Sequence, residues 1–576
     1  MKPSASLPRD SVSHWPAGVP RTLDPPDGNL FGQFAAHAHG TPDRAAIDYY
    51  GRRISYRALH QAAMNLAGYM QQRLGIRRGD RVLILMQNCP QFAIAYYAIL
   101  RCDAVAVSMS AMSTPDEIAH YVQDSGGRVV ITMQDLQERV EPFLADGRLT
   151  GCIVGAYSEM AGSAADVHFM QVPAFVLEER RIPDSQARRQ DLPDFAGAMA
   201  AGIAPTAMTV GASDLAVIGY TSGTTGKPKG AMLAHRAFSL VVAQRSLWLR
   251  GEPGGADLVI LPITHVAGMG AMNQSLCEGR TMVLLARWDA PAVPVLIERH
   301  RVERWAAVTP MLVELMGREE LGRHDLSSLR HLYGGATAMP EAVAREVRQR
   351  FGVPFIECYG MTETCGSTHL NPPQAPRLQC GGIAQINVDA RIVDPESGEE
   401  LGADQPGEIV TSSPFQFDGY WNRPDATREA FIEIDGKRFV RSGDIGHVDK
   451  DGYFYITDRL KRMINAAGLK VWPAEIEACL FGHPAVQEAC VISAQDARRG
   501  ETVKALIVAK RSSSPVSGDE IIEWTRTRLA AYKVPRLVEF VDALPKTPAG
   551  KVMWRVLQSE QDERDSGRKP RACLPA

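Results

Sequence analysis

The sequence predicts an α/β protein with two domains. The larger, N-terminal domain has mainly parallel sheets with flanking helices plus a β-rich subdomain, and the C-terminal domain is small and α+β. Three observations carry this prediction. The 576 residues exceed the length of one ordinary domain. Apolar runs typical of buried strands alternate with helical segments over most of the chain. Between about residues 381 and 457 the strands become shorter and turn residues more frequent.

The first part of the chain begins with an extended arm and continues as alternating strands and helices. Residues 1–28 are rich in Pro, Ser and Asp, which predicts an extended arm. The runs 81–86 and 127–132 are short and apolar, as expected for buried strands. The segment 91–100 is apolar on all sides, which predicts a buried helix. Between about 158 and 212 the polarity rises, so loops and short helices are expected.

The alternation is clearer in the second part of the large domain. The runs 256–262, 281–286 and 304–310 are predicted strands. The segment 340–351 has apolar residues four apart, which predicts an amphipathic helix, and 353–360 is the strand that follows it. Strands that alternate with helices favour parallel sheets covered on both faces.

The large domain is predicted to span residues 29–458. A short charged segment, 459–461, then connects it to a second folded region. Residues 462–558 contain enough strand and helix patterns for a small domain. The charged end of the chain, 559–576, is predicted to be disordered.

Composition excludes several classes of function. The net charge of −3 gives no overall attraction to nucleic acid or to an anionic membrane, so no nucleic-acid partner is predicted. No apolar run approaches the roughly 18 residues that span a bilayer, and the N-terminus lacks the apolar core of a secretory signal. Ten cysteines without a CxxC pair predict free thiols in the cytoplasm. Peripheral membrane contact and a homodimer stay open.

The stretch YTSGTTGKPKG at 220–230 is the strongest local signal. An apolar strand candidate, 214–219, precedes it, and a helix is expected from about Ala234. Glycines let backbone N–H groups approach phosphate oxygens, hydroxyls donate hydrogen bonds, and lysines neutralise charge. The stretch therefore predicts a polyphosphate-binding turn. The alternative is a solvated loop rich in Gly, Ser and Thr.

This turn does not have the Walker A pattern. Only two residues separate Gly223 from Gly226, and Lys227 is followed by Pro228 rather than by Ser or Thr. No strand–GxGxxG–helix unit stands out either, so a dinucleotide-binding fold has little support.

Four later stretches accompany this turn in a fixed order. They are YGMTET at 359–364, GYWNRPDAT at 419–427 with RSGDIG at 441–446, DRLKRMINAAGLKVWPAEIE at 458–477, and PKTPAGKVMWRVL at 545–557. Together with 220–230 they resemble the adenylate-forming superfamily of acyl- and aryl-CoA synthetases, firefly luciferases and peptide-synthetase adenylation domains. The resemblance covers about residues 30 to 558.

The resemblance implies a site for ATP and Mg²⁺. The implied nucleotide-binding residues are Thr221, Ser222, Gly223, Thr225, Gly226, Lys227, Lys229, Gly335, Ala336, Tyr359, Gly360, Thr362, Asp444 and Arg459. Lys551, Glu363, Thr224 and His265 are implied as catalytic, with Glu363 and Thr224 as the metal ligands.

Each implied role has a physical reason and a plainer alternative. Glu363 follows a predicted strand, where ligands of open α/β sheets collect, and would help to hold Mg²⁺; otherwise it is a solvated surface residue. Tyr359 would stack on adenine, although a lone tyrosine is more often a core residue. Asp444 and Arg459 would bind the ribose, although either alone is an ordinary surface charge. Ser442 stands where the family has threonine, which keeps the hydroxyl.

The resemblance also implies a moving small domain. Lys551 would reach the reacting carboxylate and α-phosphate in the first step, unless it is only a solvated loop lysine. Lys461 matches the hinge, and rotation about it would replace Lys551 by the loop around Gly468, which lines the coenzyme A tunnel. His265 resembles an aromatic gate between the ATP and acyl sites, or else is a core histidine.

The chain is therefore predicted to be an ATP-dependent acid–CoA ligase that works through an acyl-adenylate. The entry segment 15–26, the loop 465–477 and apolar residues in 234–249 favour a medium- or long-chain fatty acid as substrate. The alternatives are a CoA ligase for short thioether-containing or aryl acids, an acyl-AMP ligase that loads a carrier protein, and a non-catalytic acyl- or nucleotide-binding relative.

Overall fold

The structure is a computed structural model whose helices and strands alternate along most of the chain. It describes residues 14–162, 170, 172–181, 194–221, 228–335, 339–466, 469–496, 500–510, 516–546 and 552–566. The helices are α1 Leu30–Gly40, α2 Tyr56–Arg73, α3 Pro90–Arg101, α4 Pro115–Ser125, α5 Glu141–Ala145, α6 Ala174–Leu177, α7 Phe195–Ala200, α8 His235–Trp248, α9 Val266–Cys277, α10 Ala292–His300, α11 Thr309–Met316, α12 Glu341–Phe351, α13 Pro424–Glu429, α14 Pro473–Phe481, α15 Gly518–Arg526 and α16 Trp554–Asp565.

The strands fall into three sheets. They are β1 Ala45–Tyr49, β2 Arg52–Ser55, β3 Arg81–Leu85, β4 Val105–Met109, β5 Val129–Met133, β6 Gly151–Gly155, β7 Leu215–Thr221, β8 Lys229–Ala234, β9 Ala256–Val259, β10 Thr281–Leu284, β11 Val302–Ala306, β12 His331–Gly334, β13 Phe355–Met361, β14 Gly366–Leu370, β15 Gly382–Ala384, β16 Asp389–Val393, β17 Gly407–Ser412, β18 Phe431–Ile434, β19 Lys437–Val448, β20 Tyr453–Arg459, β21 Ile464–Ala466, β22 Leu469–Val471, β23 Val486–Asp496, β24 Gly500–Ala509 and β25 Leu537–Phe540.

The large domain contains two sheets with parallel cores. One has the order β6-β5-β3-β4-β7-β8 and is parallel except for β8. The other runs β2-β1-β10-β9-β11-β12-β13, parallel except for β2, and continues as antiparallel strands through β14, β15, β20, β19, β17 and β16. The antiparallel part is the predicted β-rich subdomain. The α/β fold class is confirmed.

A single hydrophobic core joins the two sheets. It contains Ile84 of β3 and Leu258 of β9 together with helix α3, every residue of which is buried. A second cluster covers the opposite face of the six-stranded sheet, where Val107 of β4 packs near Ile118 of α4. This sheet is therefore covered on both faces, which is why its strands have continuous apolar runs.

The small domain has its own sheet and core. Strands β22-β21-β24-β23 form the sheet, and β25 pairs in parallel with β24. Ile476 of α14 and Ile521 of α15 are buried against this sheet. An α+β small domain agrees with the prediction.

The end of the chain differs from the prediction. Helix α16 continues to Asp565, so the expectation of disorder from residue 559 is wrong for residues 559–565. The Gln558 side chain bonds the backbone of Ser493 in β23, and Gln561 accepts a hydrogen bond from buried Lys504. These tertiary contacts order a segment whose charged composition alone predicts no structure.

Charged side chains form a group at the parallel part of the long sheet. We call this group the Asp257 cluster. Its members are Asp257, Arg280, Arg304, Glu278 and Glu303. Arg280 and Arg304 both donate to Asp257, at 3.0 and 2.7 Å. Glu303 also pairs with Arg280 at 2.9 Å, and Glu278 with Arg304 at 2.8 Å. Each arginine therefore has two carboxylate partners.

The described cysteines are free, as expected. Within the described ranges, no helix is long and apolar enough to cross a membrane.

Candidate active site

The two ends of the predicted phosphate-binding turn lie side by side. Thr221 ends β7 and Lys229 begins β8, and the two residues are paired in the ladder. The Thr221 hydroxyl donates to the Lys229 carbonyl at 3.4 Å. Ser222, Gly223, Thr224, Thr225, Gly226 and Lys227 lie outside the described residues. The structure thus gives the base of the turn.

The GYWNRPDAT segment is bound to strand β8 beside this turn. The Met232 N–H donates to the Gly419 carbonyl at 2.9 Å, and the Trp421 N–H donates to the Gly230 carbonyl at 2.7 Å. Tyr420 forms a bridge with Ala231 between these two bonds. Residues far apart in the sequence therefore form one wall.

Asp124 at the end of α4 holds the same wall from the other side. Its carboxylate accepts hydrogen bonds from the Tyr220 hydroxyl at 2.8 Å and from Arg423 at 2.7 Å. Its carbonyl accepts the Trp421 indole N–H at 3.1 Å. These bonds fix β7, just before the turn, to the segment that carries Tyr420.

Glu363 lies in the short 3₁₀ turn Thr362–Thr364 between β13 and β14, and it is buried. The Tyr420 hydroxyl donates to one carboxylate oxygen at 2.6 Å. Burial raises the pKa of Glu363, while the hydrogen bond from Tyr420 opposes that shift. The ammonium of Lys229 lies 5.1 Å from the centre of the Tyr420 ring. Tyr420 thus connects the base of the turn to Glu363.

The residues around Glu363 fit a magnesium ion. A carboxylate has about four acceptor sites, and the Tyr420 hydroxyl and the Glu363 backbone N–H leave the others for a ligand. Mg²⁺ prefers oxygen ligands and is often held by one or two carboxylates together with substrate phosphates. Among the described residues no group of three or more His, Cys, Asp or Glu side chains could hold a metal. Glu363 would therefore hold the ion with the phosphates, and Thr224 lies outside the described residues.

Asp444 stands at the centre of a second polar group. It pairs with Arg459 across β19 and β20, and the Arg459 side chain contacts its carboxylate at 2.8 Å. The Tyr359 hydroxyl donates to its other oxygen at 2.8 Å. The Ser442 hydroxyl accepts the Asp444 N–H at 3.0 Å and donates to the Ile409 carbonyl at 2.6 Å, so the serine found in place of threonine still orients the aspartate.

The two polar groups are neighbours. The charges of Arg459 and Asp444 both act on the pKa of Glu363, and Tyr359 precedes Glu363 by four residues. Strand β13 ends at Met361, directly before the turn that carries Glu363, and ligands of open α/β folds bind at such strand ends.

Two predicted glycines are required by the backbone itself. A Cβ at Gly335 would lie 2.2 Å from the Cys358 carbonyl oxygen, and one at Gly360 would lie 2.0 Å from the Gly366 carbonyl oxygen. Any side chain there would push strands apart, so both glycines are explained by packing before any ligand is considered. Ala336 lies outside the described residues.

His265 lies at the N-terminus of α9, where its Nδ1 accepts the Ala267 N–H at 3.3 Å. It borders a small cavity of about 30 Å³ together with Thr362, Val266 and Met269. A helix-capping position and a place on a cavity wall are both compatible with the predicted gate.

The residues predicted for the moving domain are mostly beyond the described chain. Lys551 and Gly468 lie outside it, and of Lys461 only the backbone is described, in the 3₁₀ turn Leu460–Arg462. Asp458 just before this turn is buried and accepts the Ala474 N–H at the start of α14, at 2.7 Å. The connection between the domains is therefore in contact with both.

Sequence reasoning missed Tyr420 and Asp124. Tyr420 belongs to the recognised GYWNRPDAT stretch, so the position was available from the sequence although its role was not. Asp124 ends an ordinary amphipathic helix, and nothing in its neighbourhood indicates that Tyr220 and Arg423 converge on it.

Comparison with known proteins agrees with this geometry. The sequence profile described as "AMP-binding enzyme" matches residues 34–421, and the profile described as "AMP-binding enzyme C-terminal domain" matches residues 475–551. The chain is 30% identical to a long-chain-fatty-acid–CoA ligase of Bacillus subtilis (strain 168), which covers 96% of this chain and 98% of the relative. It is 34% identical to a feruloyl-CoA synthase of Amycolatopsis sp, covering 90% and 96%.

Solved structures give the same result. ATP-bound MatB from Rhodopseudomonas palustris is 28% identical and superposes with a TM-score of 0.80, covering 93% of this chain and 99% of that one. The o-succinylbenzoate CoA synthetase of Bacillus subtilis with its acyl-adenylate is 25% identical, with a TM-score of 0.76 and coverage of 95% and 100%.

Proposed function

The chain belongs to the AMP-binding enzyme family, and from this premise we propose how its residues activate a carboxylic acid. It is an AMP-forming acid–CoA ligase whose substrates are ATP, coenzyme A and a small carboxylic acid. The open questions are which residues perform each step and which acid is used.

In the first step the carboxylate of the acid attacks the α-phosphate of ATP and gives acyl-AMP and pyrophosphate. Asp444 and Arg459 hold the ribose, and Tyr359 stacks on the adenine. Glu363 would hold Mg²⁺, and the bound ion would supply positive charge against the phosphates. The turn 222–227 binds the departing phosphates. The protein contributes position and charge, because substrate oxygens supply both nucleophile and leaving group.

The second step transfers the acyl group to coenzyme A. The thiol sulfur attacks the acyl carbon, loses its proton, and releases AMP. We propose that Lys551 acts in the first step, and that rotation about Lys461 then withdraws it and brings the loop of Gly468 to the site. Closure between the steps would protect the mixed anhydride from water.

A single observation carries the proposal for the nucleotide site. Tyr359, Asp444 and Arg459 form a hydrogen-bonded group next to buried Glu363, on strands whose positions in the sequence are far apart. An isolated surface aspartate or glutamate, the plainer interpretation, would not have this arrangement.

The experiment is a coupled assay of purified protein with ATP, Mg²⁺, coenzyme A and a panel of acids. We expect acid-dependent ATP–pyrophosphate exchange and a thioester product together with AMP. Acyl-AMP without thioester would instead indicate an acyl-AMP ligase that serves a carrier protein. Absence of exchange with every acid would contradict the proposal and favour a non-catalytic binding protein.

Two variants separate the steps. Lys551→Ala should lose acyl-AMP formation yet still convert supplied acyl-AMP and coenzyme A to thioester. Gly468→Trp should do the reverse, because a bulky side chain would block the coenzyme A step and spare pyrophosphate exchange. Equal damage to both steps in both variants would contradict the rotation.

The acid stays a prediction. The sequence favours a medium- or long-chain fatty acid, as in the Bacillus subtilis relative, whereas other relatives act on ferulate and 4-coumarate by name. The cytoplasmic location and the homodimer also stay predictions.

A further inference from the structure

Arg245 is a buried cation near the end of helix α8. It lies in the last turn of α8 and is only 7% exposed. Its guanidinium lies between Gly270 of α9 and Gly366 of β14. A methyl group at either glycine would come within 3.3 and 3.6 Å of its nitrogens. The side chain is therefore directed into the space between α8, α9 and the β13–β14 connection.

Arg245 has little of the pairing that a buried guanidinium needs. A guanidinium carries five N–H donors. One nitrogen donates to the Ser367 hydroxyl at 3.4 Å, and the Tyr333 ring centre is 5.8 Å away. Gln385 already donates to the same hydroxyl at 3.2 Å. No carboxylate in the described part of the chain forms an ion pair with Arg245.

The Asp257 cluster shows the contrast within the same domain. Arg280 and Arg304 are as deeply buried, and each has two carboxylate partners within 3.0 Å. A charge that is buried without a partner of opposite sign destabilises the folded protein. Arg245 thus differs from these two arginines, and an anion that enters from outside would balance its charge.

The location joins Arg245 to the proposed active site. His265, Val266 and Met269 line the cavity at the start of α9, and Gly270 is the next residue along that helix. Gly366 follows Glu363 by three residues in the β13–β14 connection. The guanidinium therefore lies between α9, whose first turn borders the cavity, and the β13–β14 connection, which carries Glu363.

We propose that Arg245 binds a second carboxylate on the acid substrate, distal to the carboxylate that is activated. This inference rests on the proposed ligase function and narrows its substrate class to acids with two carboxylates. A planar guanidinium binds a carboxylate through two parallel N–H···O bonds. The alkyl end of a plain fatty acid would give Arg245 no anionic partner, so the predicted fatty chain is refined to one that carries a terminal anion.

The test compares matched acids. Dicarboxylates and monocarboxylates of equal chain length, from short to long, and phthalate isomers beside benzoate, are assayed for thioester formation. At the best length we expect kcat/KM for the dicarboxylate to exceed that for the monocarboxylate by about tenfold or more. Arg245→Leu should abolish this ratio or invert it, while Arg245→Lys keeps part of it as a single charge.

Arg236→Leu is the matched control. It changes the same residue type in the first turn of the same helix, where the side chain pairs with Asp418. It should leave the ratio unchanged. Circular dichroism and thermal unfolding check each variant, and if Arg245→Leu does not fold, Arg245→Gln replaces it.

Three results would overturn the inference. They are a preference for the monocarboxylate at every length, a ratio that Arg245→Leu does not change, and a stronger preference for hydroxy or keto acids than for dicarboxylates. Failure of the ligase proposal would look different, because no acid would yield adenylate or thioester. Calorimetric binding of the dicarboxylates in the presence of a non-hydrolysable ATP analogue would then decide, and equal binding by wild type and Arg245→Leu would refute the role of Arg245.

Discussion

Asp257 and Glu363 are both buried carboxylates of the large domain, and they differ in how their charge is balanced. Asp257 accepts hydrogen bonds from Arg280, Arg304 and Ser275. Burial alone would raise its pKa, but the two arginines hold that pKa below its usual value. Burial does raise the pKa of Glu363, whose described side-chain partner is one tyrosine hydroxyl.

This difference in pairing indicates a structural role for Asp257 and a ligand-binding role for Glu363. A carboxylate whose partners come from its own chain gains nothing from an external cation. A carboxylate that is buried away from solvent and has unused acceptor sites can bind a cationic ligand. Burial of a charge therefore does not identify a ligand site by itself. Incomplete pairing of the buried charge is the more useful sign. Glu363 has this property as an anion, and Arg245 has it as a cation.

The structural role of Asp257 would be contradicted if removal of its charge left the stability of the large domain unchanged. Asp257→Asn leaves two buried arginines without their shared anion, and we expect the large domain to lose about 3–5 kcal/mol of stability. Urea unfolding followed by tryptophan fluorescence measures the loss. Activity per folded molecule should not change. Asp418→Asn, at an exposed ion pair, is the control and should cost less than about 1 kcal/mol.

The opposite outcome is expected for Glu363→Gln. Loss of the carboxylate that we propose to hold magnesium should lower acyl-adenylate formation about 10²–10³-fold, since charge stabilisation at the phosphates is removed. Stability should stay equal or rise, because a buried carboxylate becomes neutral. ATP–pyrophosphate exchange over a range of Mg²⁺ concentrations, beside thermal unfolding, measures both effects. A rate of ATP–pyrophosphate exchange within tenfold of the wild-type rate would indicate that Glu363 has a structural role only.

Asp444→Asn tests an intermediate case, because the Asp444 carboxylate has partners within the protein and is also proposed to bind the ribose of ATP. We expect the KM for ATP to rise about tenfold to a hundredfold, as for the loss of charged hydrogen bonds to a sugar. Wild type should discriminate against 2′-deoxy-ATP and 3′-deoxy-ATP, and the variant should discriminate less. Equal discrimination in both proteins would show that Asp444 does not contact the ribose.

The smallest expected effect is that of Tyr420→Phe. The Tyr420 hydroxyl lowers the pKa of Glu363, so its removal should raise that pKa further. Glu363 must be ionised to hold Mg²⁺, and the acidic limb of the pH–activity profile should therefore move to higher pH. The loss should be a few-fold at pH 8 and larger at pH 6. Tyr220→Phe, a neighbouring tyrosine bonded to Asp124, should not move this limb.

Much of the fold was predictable because its signals are local. Strand β3 and helix α3 follow directly from apolar runs, and both are buried as expected. The small domain was predicted to end at residue 558, whereas helix α16 continues to Asp565, because the contacts that extend it, Gln561 with Lys504 among them, come from a distant strand. A charged sequence gives no indication of such a partner.

Residues of the candidate site were predictable only where they belong to a recognised sequence motif. Asp444 and Tyr359 belong to recognised stretches, and they meet in the structure. Asp124 and Arg245 belong to none. The helix that contains Arg245 has only a weak apolar face, so its pattern does not tell which of its arginines is buried. Burial of a single charge is a property of the assembled fold.

The crowded backbone at Gly335 and Gly360 has a consequence for engineering this enzyme. Neither position can accept a side chain without moving a neighbouring strand, so the adenine side of the site offers no residue to vary there. The proposed acid side is different, because Val266 and Met269 border a cavity and Arg245 lies between α9 and β14. A library that aims to change the accepted acid should keep the glycines fixed and randomise the acid side, where new shapes and charges can be selected without loss of nucleotide use.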